Sequence, residues 1–248
     1  MHRPSVWLAV VATVVAAGCA HGGGGGLQAG TSQSGTPTTA ASSPALPPGT
    51  SLIAAARLSR VPVFAGPEPS RPAQRTLSNP IESGAPLVFL VEKQVPGWLQ
   101  VDLPIRPNGS TGWVREGDVT LTPINYRVRV ELHAFRITVW RGSEVILSEP
   151  VGLGTGRTPT PGGRYYIKEL LKPPDPGGPY GPYAYGLSGF SNVLTSFAGG
   201  DGVVGIHGTN DPSSIGRSVS HGCIRMSNSG ITRLAKILPL GTPVEISP

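Results

Sequence analysis

The chain has 248 residues, of which 35 are glycine and 27 are proline, whereas only 14% are charged. A hydrophobic fraction of 38% excludes a chain that is disordered throughout, and no Gly-X-Y period is present to indicate a collagen-like fibre. The net charge of +6 is scattered along the chain, which argues against nucleic-acid binding and favours an anionic extracellular environment.

The first 18 residues have the features of a secretory signal peptide. Arg3 supplies a positive charge, and residues 6–17 form an apolar run that is too short to span a bilayer. Small residues at 16–18 precede Cys19, and this arrangement resembles a bacterial lipoprotein signal. The resemblance implies that Cys19 is lipidated and anchors the protein on the outer face of the cytoplasmic membrane, in the cell envelope. An ordinary cleaved signal and an uncleaved anchor are the alternatives.

Residues 19–51 are predicted to be a flexible, lipid-anchored linker. No charged side chain lies between Arg3 and Arg57, and the segment is dominated by Gly, Ser, Thr, Pro, Ala and Gln. Such a segment cannot bury enough apolar surface to fold. Because lipid on Cys19 would leave Cys223 without a disulfide partner in the chain, Cys223 is expected to be a reactive thiol, a partner in an intermolecular disulfide or a small buried residue.

Residues 52–122 are predicted to form a small all-β domain. Short strands separated by turns with Pro or Gly are expected at residues 61–64, 86–92, 98–103 and 112–121.

The last of these stretches contains Gly112-Trp113-Val114, which resembles part of a bacterial SH3-like domain, a module found beside cell-wall enzymes. A small SH3-like β-barrel is therefore expected. Trp98 and Trp113 could line a binding groove, although at strand positions a core role is more common.

Residues 123–248 are predicted to form a second β-rich domain. Apolar and charged residues alternate over residues 126–132, as in a half-buried strand. Further strands are expected around residues 135–139, 144–152, 164–170, 203–208 and 244–246.

One helix is expected near the end of this region. Ile231, Leu234, Ala235 and Leu238 have helical spacing, Ser227 or Asn228 can provide the N-cap, and Pro239 follows. The predicted fold class is mainly β, with one clear helix.

Two segments, GIHGT at 205–209 and SHGCIRM at 220–226, contain the residue types that acyl transfer requires. The thiol of Cys223 becomes a nucleophile when a base takes its proton. His207 and His221 are both available as that base.

Gly222 separates His221 from Cys223 and favours a tight turn. In such a turn the backbone N–H groups of Gly222 and Cys223 can aim at one point, as an oxyanion hole requires. This arrangement favours His207 as the base and residues 220–223 as the oxyanion hole.

Together with TPTPGG at 158–163, the two segments resemble the catalytic domain of the L,D-transpeptidases, β-rich enzymes that cross-link or trim bacterial peptidoglycan. The resemblance covers about residues 126–246. It implies the following roles: Cys223 as acylated nucleophile, His207 as general base, the Gly208 carbonyl holding the imidazole, Ser220, His221 and Gly222 shaping the turn and oxyanion hole, and Arg225 binding a substrate carboxylate.

The reaction that the resemblance implies is a two-step acyl transfer on peptidoglycan stem peptides. Cys223 attacks the carbonyl between a diamino acid and the terminal D-alanine, and the amine of a second stem then takes the acyl group. Water as acceptor would make the protein an L,D-carboxypeptidase, and a non-catalytic wall-binding lipoprotein is a further alternative. No cofactor or metal is expected, and a carbapenem is expected to form an adduct on Cys223.

Residues 173–192 are rich in Gly, Pro and aromatic side chains. A long segment of this kind favours a flap over the active site, with Tyr183, Tyr185 or Phe190 lining the substrate groove. A packed loop without substrate contacts is the alternative.

Overall fold

The computed structural model describes residues 46–196 and 200–248. The predicted signal peptide, the lipidation of Cys19 and most of the predicted linker lie outside the described residues. Within these residues, no helix combines the length and the apolar character needed to cross a bilayer. All of the described residues belong to one unit, Ala40–Pro248.

The described residues before 125 form strands of two antiparallel sheets. The strands are β1 (Ser51–Ala56), β2 (Arg60–Val63), β3 (Arg75–Ser78), β4 (Val88–Val95), β5 (Trp98–Asp102), β6 (Thr111–Arg115) and β7 (Val119–Ile124). Five of these strands form a sheet in the order β6-β5-β4-β1-β7, and β2 and β3 form a hairpin. A bridge from Phe64 to Trp113 joins the hairpin to β6.

The core of this N-terminal part uses the apolar side chains on one face of each strand. Phe89, Leu99 and Val114 are fully buried in it. Trp98 is also buried and packs edge-to-face on Phe64, with ring centroids 5.0 Å apart, so it has a core role. The predicted strand at 112–121 is wrong in one respect, because a 3₁₀ turn divides it into β6 and β7. The SH3-like assignment stays a prediction.

The described residues from 126 onward form a curled eight-stranded sheet, a two-stranded sheet and one α-helix. The elements are β8 (Tyr126–Glu131), β9 (Arg136–Arg141), β10 (Glu144–Pro150), β11 (Leu153–Gly154), β12 (Gly163–Leu171), β13 (Ala184–Phe190), β14 (Val203–His207), β15 (Ser218–Ser220), β16 (Ile224–Arg225), α1 (Asn228–Ala235) and β17 (Pro243–Ser247). The large sheet has the order β10-β9-β8-β17-β12-β13-β14-β16, and β11 pairs with β15. Most pairs are antiparallel, but β8–β17, β14–β16 and β11–β15 are parallel.

The helix predicted after the active-site motif is confirmed as α1, and the fold class is mainly β. Ser227 is the N-cap, and its Oγ accepts a hydrogen bond of 2.9 Å from the N–H of Gly230. Ile231 and Leu234 face the core of the large sheet. Leu238 lies beyond the last helical residue but is also buried there.

The N-terminal sheet packs directly against the larger one. Val88 and Leu90 of β4 contact the fully buried ring of Tyr166 in β12. At the edge of this contact, Arg164 forms an ion pair of 2.6 Å with Glu92.

Two side chains of the N-terminal part hold the chain on both sides of the end of β13. Asn108 accepts a hydrogen bond from the N–H of Phe190 and donates one to its carbonyl, both at 2.8 Å. Arg106 donates to the carbonyl oxygens of Ser191 at 2.9 Å and Asp201 at 2.9 Å. Phe190, Ser191 and Asp201 are thereby held by side chains from outside the large sheet.

Candidate active site

The pairing of β13, β14 and β16 sorts their side chains onto two faces. Ile206 is paired with Ile224, and both are buried in the core. His207 is paired with Arg225, so both project from the opposite face, because side chains alternate along a strand. Cys223, two residues before Arg225, belongs to this second face as well. The strand register therefore brings the predicted base and nucleophile together.

Gly205 leaves the space that these two side chains share. A Cβ atom at Gly205 would lie 3.8 Å from Sγ of Cys223 and 3.9 Å from Cδ2 of His207. The thiol and the Nε2 edge of the imidazole thus face the same point above the backbone of Gly205.

His207 is held in one tautomer by its neighbour. Its Nδ1 lies 2.6 Å from the carbonyl oxygen of Gly208. A carbonyl oxygen can only accept, so Nδ1 carries the proton and Nε2 has a free lone pair. The predicted role of the Gly208 carbonyl is consistent with this geometry.

The protonation state of His207 follows from its surroundings. Burial lowers the pKa of His207 to about 4, the hydrogen bond to Gly208 opposes this shift, and the positive charge of Arg225 adds to it. The imidazole is therefore neutral near pH 7 and can accept a proton at Nε2.

Cys223 is a free cysteine in the turn before β16. Burial raises the pKa of its thiol, while a backbone hydrogen bond with Gly205 and the charge of Arg225 lower it. The group is therefore a thiol at neutral pH, and it needs a base to become a thiolate.

The turn that holds Cys223 depends on Ser220 and Gly222. The hydroxyl of Ser220 donates to the carbonyl oxygen of Cys223 at 2.6 Å and accepts from the N–H of Gly222 at 3.1 Å. Gly222 has a φ of +116°, a conformation that favours glycine, so the predicted tight turn is present. His221 is exposed in this turn.

The expected oxyanion hole needs one correction. The N–H of Gly222 is occupied by Ser220 Oγ. It is therefore not aimed at a substrate oxygen together with the N–H of Cys223. The backbone N–H of Cys223 stays as the candidate donor, and Ser220 acts by shaping the turn.

Arg225 contributes positive charge beside the reacting pair. Its Nε is buried and has no hydrogen-bond partner among the described residues. A buried, unsatisfied donor of a guanidinium group is costly, and an anionic ligand group would satisfy it. The expected carboxylate contact of Arg225 is compatible with this observation.

A cavity of about 510 Å³ opens over His207 and Cys223. The loop before β13 forms one wall through Pro173, Pro174 and Tyr180. The ring of Tyr180 packs edge-on against the imidazole, with centroids 4.9 Å apart. This loop therefore lies where a flap was predicted, in the wall of the cavity, whereas residues 184–190 are the buried strand β13 and not part of a flap.

Of the three aromatic residues expected in the groove, only Tyr185 lines the cavity. It is buried, and its hydroxyl donates to the carbonyl oxygen of Leu234 at 2.8 Å, so its ring also belongs to the core. The ring of Phe190 is buried, with the guanidinium of Arg106 4.8 Å from its centroid, and it does not line the cavity. Tyr183 is half-buried and packs against the core of the large sheet.

Two residues of the site were missed by the sequence reasoning. Tyr180 contacts His207 across 27 residues of sequence, and Asn228 accepts a 2.8 Å hydrogen bond from the N–H of Thr209. Asn228 Oδ1 also lies against Gly181 and Gly208, where any Cβ atom would overlap it. It therefore joins the Tyr180 loop to the turn after His207. The glycines flanking these turns were the available sequence signal.

A metal centre has no candidate ligands here, because the described residues contain no cluster of three His, Cys, Asp or Glu side chains. The chemistry that the arrangement can perform is nucleophilic attack by a thiol that a neutral imidazole deprotonates, beside a fixed positive charge. That is the chemistry of a cysteine acyltransferase or hydrolase.

Comparisons with known proteins identify the family. The model of the YkuD family, the L,D-transpeptidase catalytic domain, matches residues 125–246. A protein of Bacillus licheniformis that bears the name "Putative L,D-transpeptidase YkuD" is 36% identical over 156 residues, which is 60% of this chain and 86% of that protein. YkuD of Bacillus subtilis is 39% identical over 124 residues, covering 50% of this chain and 67% of the relative.

Among solved structures, the L,D-transpeptidase of Enterococcus faecium is similar with 26% identity and a TM-score of 0.38. The match covers 48% of each chain, so this chain spans about half of that structure. On the strength of the family and sequence matches, the chain belongs to the YkuD family of L,D-transpeptidases. The family resemblance expected from the motifs is confirmed.

Proposed function

We propose that the protein cross-links peptidoglycan by joining the diamino acids of two stem peptides, with Cys223 as the nucleophile and His207 as the general base. The observation that carries this proposal is the shared cavity of the thiol and of an imidazole whose Nδ1 is fixed by Gly208. Family membership supports an acyltransferase of cell-wall synthesis as the class of enzyme.

In the first step, Nε2 of His207 accepts the thiol proton while Sγ of Cys223 attacks the carbonyl between the diamino acid and D-alanine. The N–H of Cys223 donates to the developing oxyanion. The C–N bond then breaks, His207 returns the proton to the leaving amine, and D-alanine departs from a thioester.

In the second step, the side-chain amine of another stem attacks the thioester carbonyl. The amine loses a proton to Nε2 of His207, the C–S bond breaks, and the proton returns to the thiolate of Cys223. The product is an amide between two diamino acids, and the enzyme is regenerated without a cofactor. Arg225 would bind a carboxylate of the donor during both steps.

The location that fits this substrate is the cell envelope. A lipid on Cys19 would hold the protein on the outer face of the cytoplasmic membrane, and the residues between Cys19 and β1 would act as a tether of roughly 30 Å root-mean-square reach. The N-terminal sheet would then be an SH3-like module beside the catalytic domain.

Product analysis separates the proposed activity from its alternatives. The purified protein and its Cys223→Ala variant are incubated with disaccharide-tetrapeptide, and the products are analysed by mass spectrometry. Cross-linked dimer that is absent with the variant supports the proposal. Tripeptide without dimer shows an L,D-carboxypeptidase, and no product from folded protein leaves the non-catalytic wall-binding lipoprotein.

A carbapenem provides a second test that needs no acceptor. We expect one covalent adduct on the protein and none on Cys223→Ala, as read from the intact mass. Folded wild-type protein without an adduct would contradict a competent thiol at Cys223.

A further inference from the structure

A buried ion pair lies beside the catalytic cavity and has no part in the mechanism above. Lys168 Nζ lies 3.5 Å from Glu169 Oε1, and their side chains are 15% and 8% exposed. The two residues are consecutive in β12, where the register with β13 shifts between Ile167 and Glu169. A β-bulge of this kind redirects side chains, which explains how neighbours in a strand can meet.

A strip without side chains connects this pair to the thiol. Glu169 is paired with Gly186, which is paired in turn with Gly205. A Cβ atom at Gly186 would overlap the carboxylate of Glu169, and one at Gly205 would touch Sγ of Cys223. The carboxylate of Glu169 therefore lies over Gly186, and Gly205 leaves room beside the thiol, so the two glycines form a floor that leads from the carboxylate to the thiol.

The cavities agree with this route. Glu169 lines the catalytic cavity and also a second cavity of about 430 Å³, which adjoins it and has Lys168 in its wall. The two cavities share Glu169, Gly200, Asp201 and Val203. A ligand that extends from Cys223 along the glycine floor reaches Glu169 first and Lys168 next.

We propose that Lys168 and Glu169 bind the far end of the donor diamino acid, and that they select a side chain ending in an amino-acid group over one ending in a simple amine. The ammonium of that group would contact Glu169, and its carboxylate would contact Lys168. Diaminopimelate has such an end, whereas lysine carries an ammonium alone. This inference rests on the proposed function.

The length of the ligand fits the floor. The carboxylate of Glu169 lies over Gly186, one strand spacing of about 5 Å from Gly205, and Cys223 precedes β16 on the far side of β14, so the donor has to span more than one spacing. The far carbon of diaminopimelate lies about 6 Å from the acylated carbonyl in an extended chain of ordinary C–C bonds. One hydrogen bond of about 2.8 Å then completes the span.

Charge explains the selection. A ligand ammonium alone would compete with Lys168 for the carboxylate of Glu169, because the two cations would share one anion. A zwitterionic end provides an opposite charge for each member of the pair, so neither buried charge loses its partner. A site that leaves buried charges unpaired with the wrong ligand discriminates strongly.

The test compares three tetrapeptide donors that carry diaminopimelate, diaminopimelate amidated at the distal carboxylate, or lysine. The measured quantity is kcat/KM for D-alanine release by the wild-type protein. We expect the diaminopimelate donor to exceed the other two by about tenfold or more. In Glu169→Gln and Lys168→Gln the ratio of the diaminopimelate to the lysine donor should fall towards one.

The matched control is Glu245→Gln, which makes the same chemical change in an exposed ion pair with Arg129 at 3.1 Å. It should keep the wild-type ratio. The inference would be overturned by equal rates of the wild-type protein on the three donors, or by an unchanged ratio in both variants. In either case D-alanine release would leave the proposed function standing. No D-alanine release from any donor by folded wild-type protein would overturn both.

Discussion

The buried imidazole of His207 predicts a specific loss of stability in acid. Only 5% of this residue is exposed, and burial lowers its pKa from 6.5 to about 4. Between these two pH values the unfolded chain binds a proton at His207 that the folded chain does not bind. The free energy of unfolding therefore falls as the pH is lowered through this window, and it recovers as the pH rises.

The size of the effect follows from the two pKa values. At 1.36 kcal/mol for each unit of difference, His207 alone should cost about 2 kcal/mol of stability between pH 7 and pH 5, and about 3 kcal/mol by pH 4. Carboxylates also titrate in this range, so the wild-type profile cannot be assigned to one group. The variant His207→Gln removes the titrating group and keeps the other ionisable residues.

The assay is urea unfolding of both proteins at several pH values from 7 to 4. The quantity of interest is the difference between the two free energies of unfolding at each pH, in which the shared carboxylate effects cancel. We expect the advantage of the wild type over His207→Gln to shrink by about 2 kcal/mol from pH 7 to pH 5. A difference that stays constant over the whole range would refute the assignment of a buried, neutral imidazole.

Three further substitutions test the site. Arg225→Gln removes a charge that lowers the pKa of the base, so the acid limb of the pH profile for carbapenem acylation of Cys223 should move to higher pH; an unmoved limb contradicts this. Ser220→Ala deletes both hydrogen bonds of its hydroxyl. The free energy of unfolding in urea should fall by about 1–3 kcal/mol, and acylation of Cys223 should be slower. A wild-type rate of acylation would argue against the role of Ser220 in shaping the turn. Asn228→Ala leaves the backbone N–H of Thr209 without its acceptor and should lower the free energy of unfolding by about 1–3 kcal/mol. Asn228→Asp keeps an acceptor oxygen and should recover most of this loss. Equal destabilisation by the two variants would count against the hydrogen bond.

Much of the fold was accessible from the sequence where one strand face is buried and the other is exposed. Val128 and Val130 point into the core of the large sheet, and the alternation around them predicted β8. The pair His207 and Cys223 was accessible for another reason, since few arrangements of a thiol, a histidine and flanking glycines support acyl transfer.

The strand β13 was missed because it gives no alternating signal. All seven of its residues are buried, so both faces are covered and polar residues do not mark an outer side. Its glycines resembled loop residues. In the structure a Cβ atom at Gly186 would meet Glu169 and one at Gly189 would meet Tyr165, so these glycines serve close packing.

The contacts of Tyr180 and Asn228 were inaccessible for a different reason. Both depend on how the loop before β13 folds back onto the turn after His207. No local pattern of either segment specifies that approach, because it is decided by tertiary packing.

Residues outside the family region of 125–246 hold part of the chain beside the candidate active site. Asn108 makes two hydrogen bonds with Phe190, and Arg106 donates to Ser191 and Asp201. Asp201 lines the cavity, so the position of this part of its wall depends on the side chain of Arg106, almost a hundred residues earlier. Substitutions of Arg106 or Asn108 would then change the wall of the cavity from outside the family region.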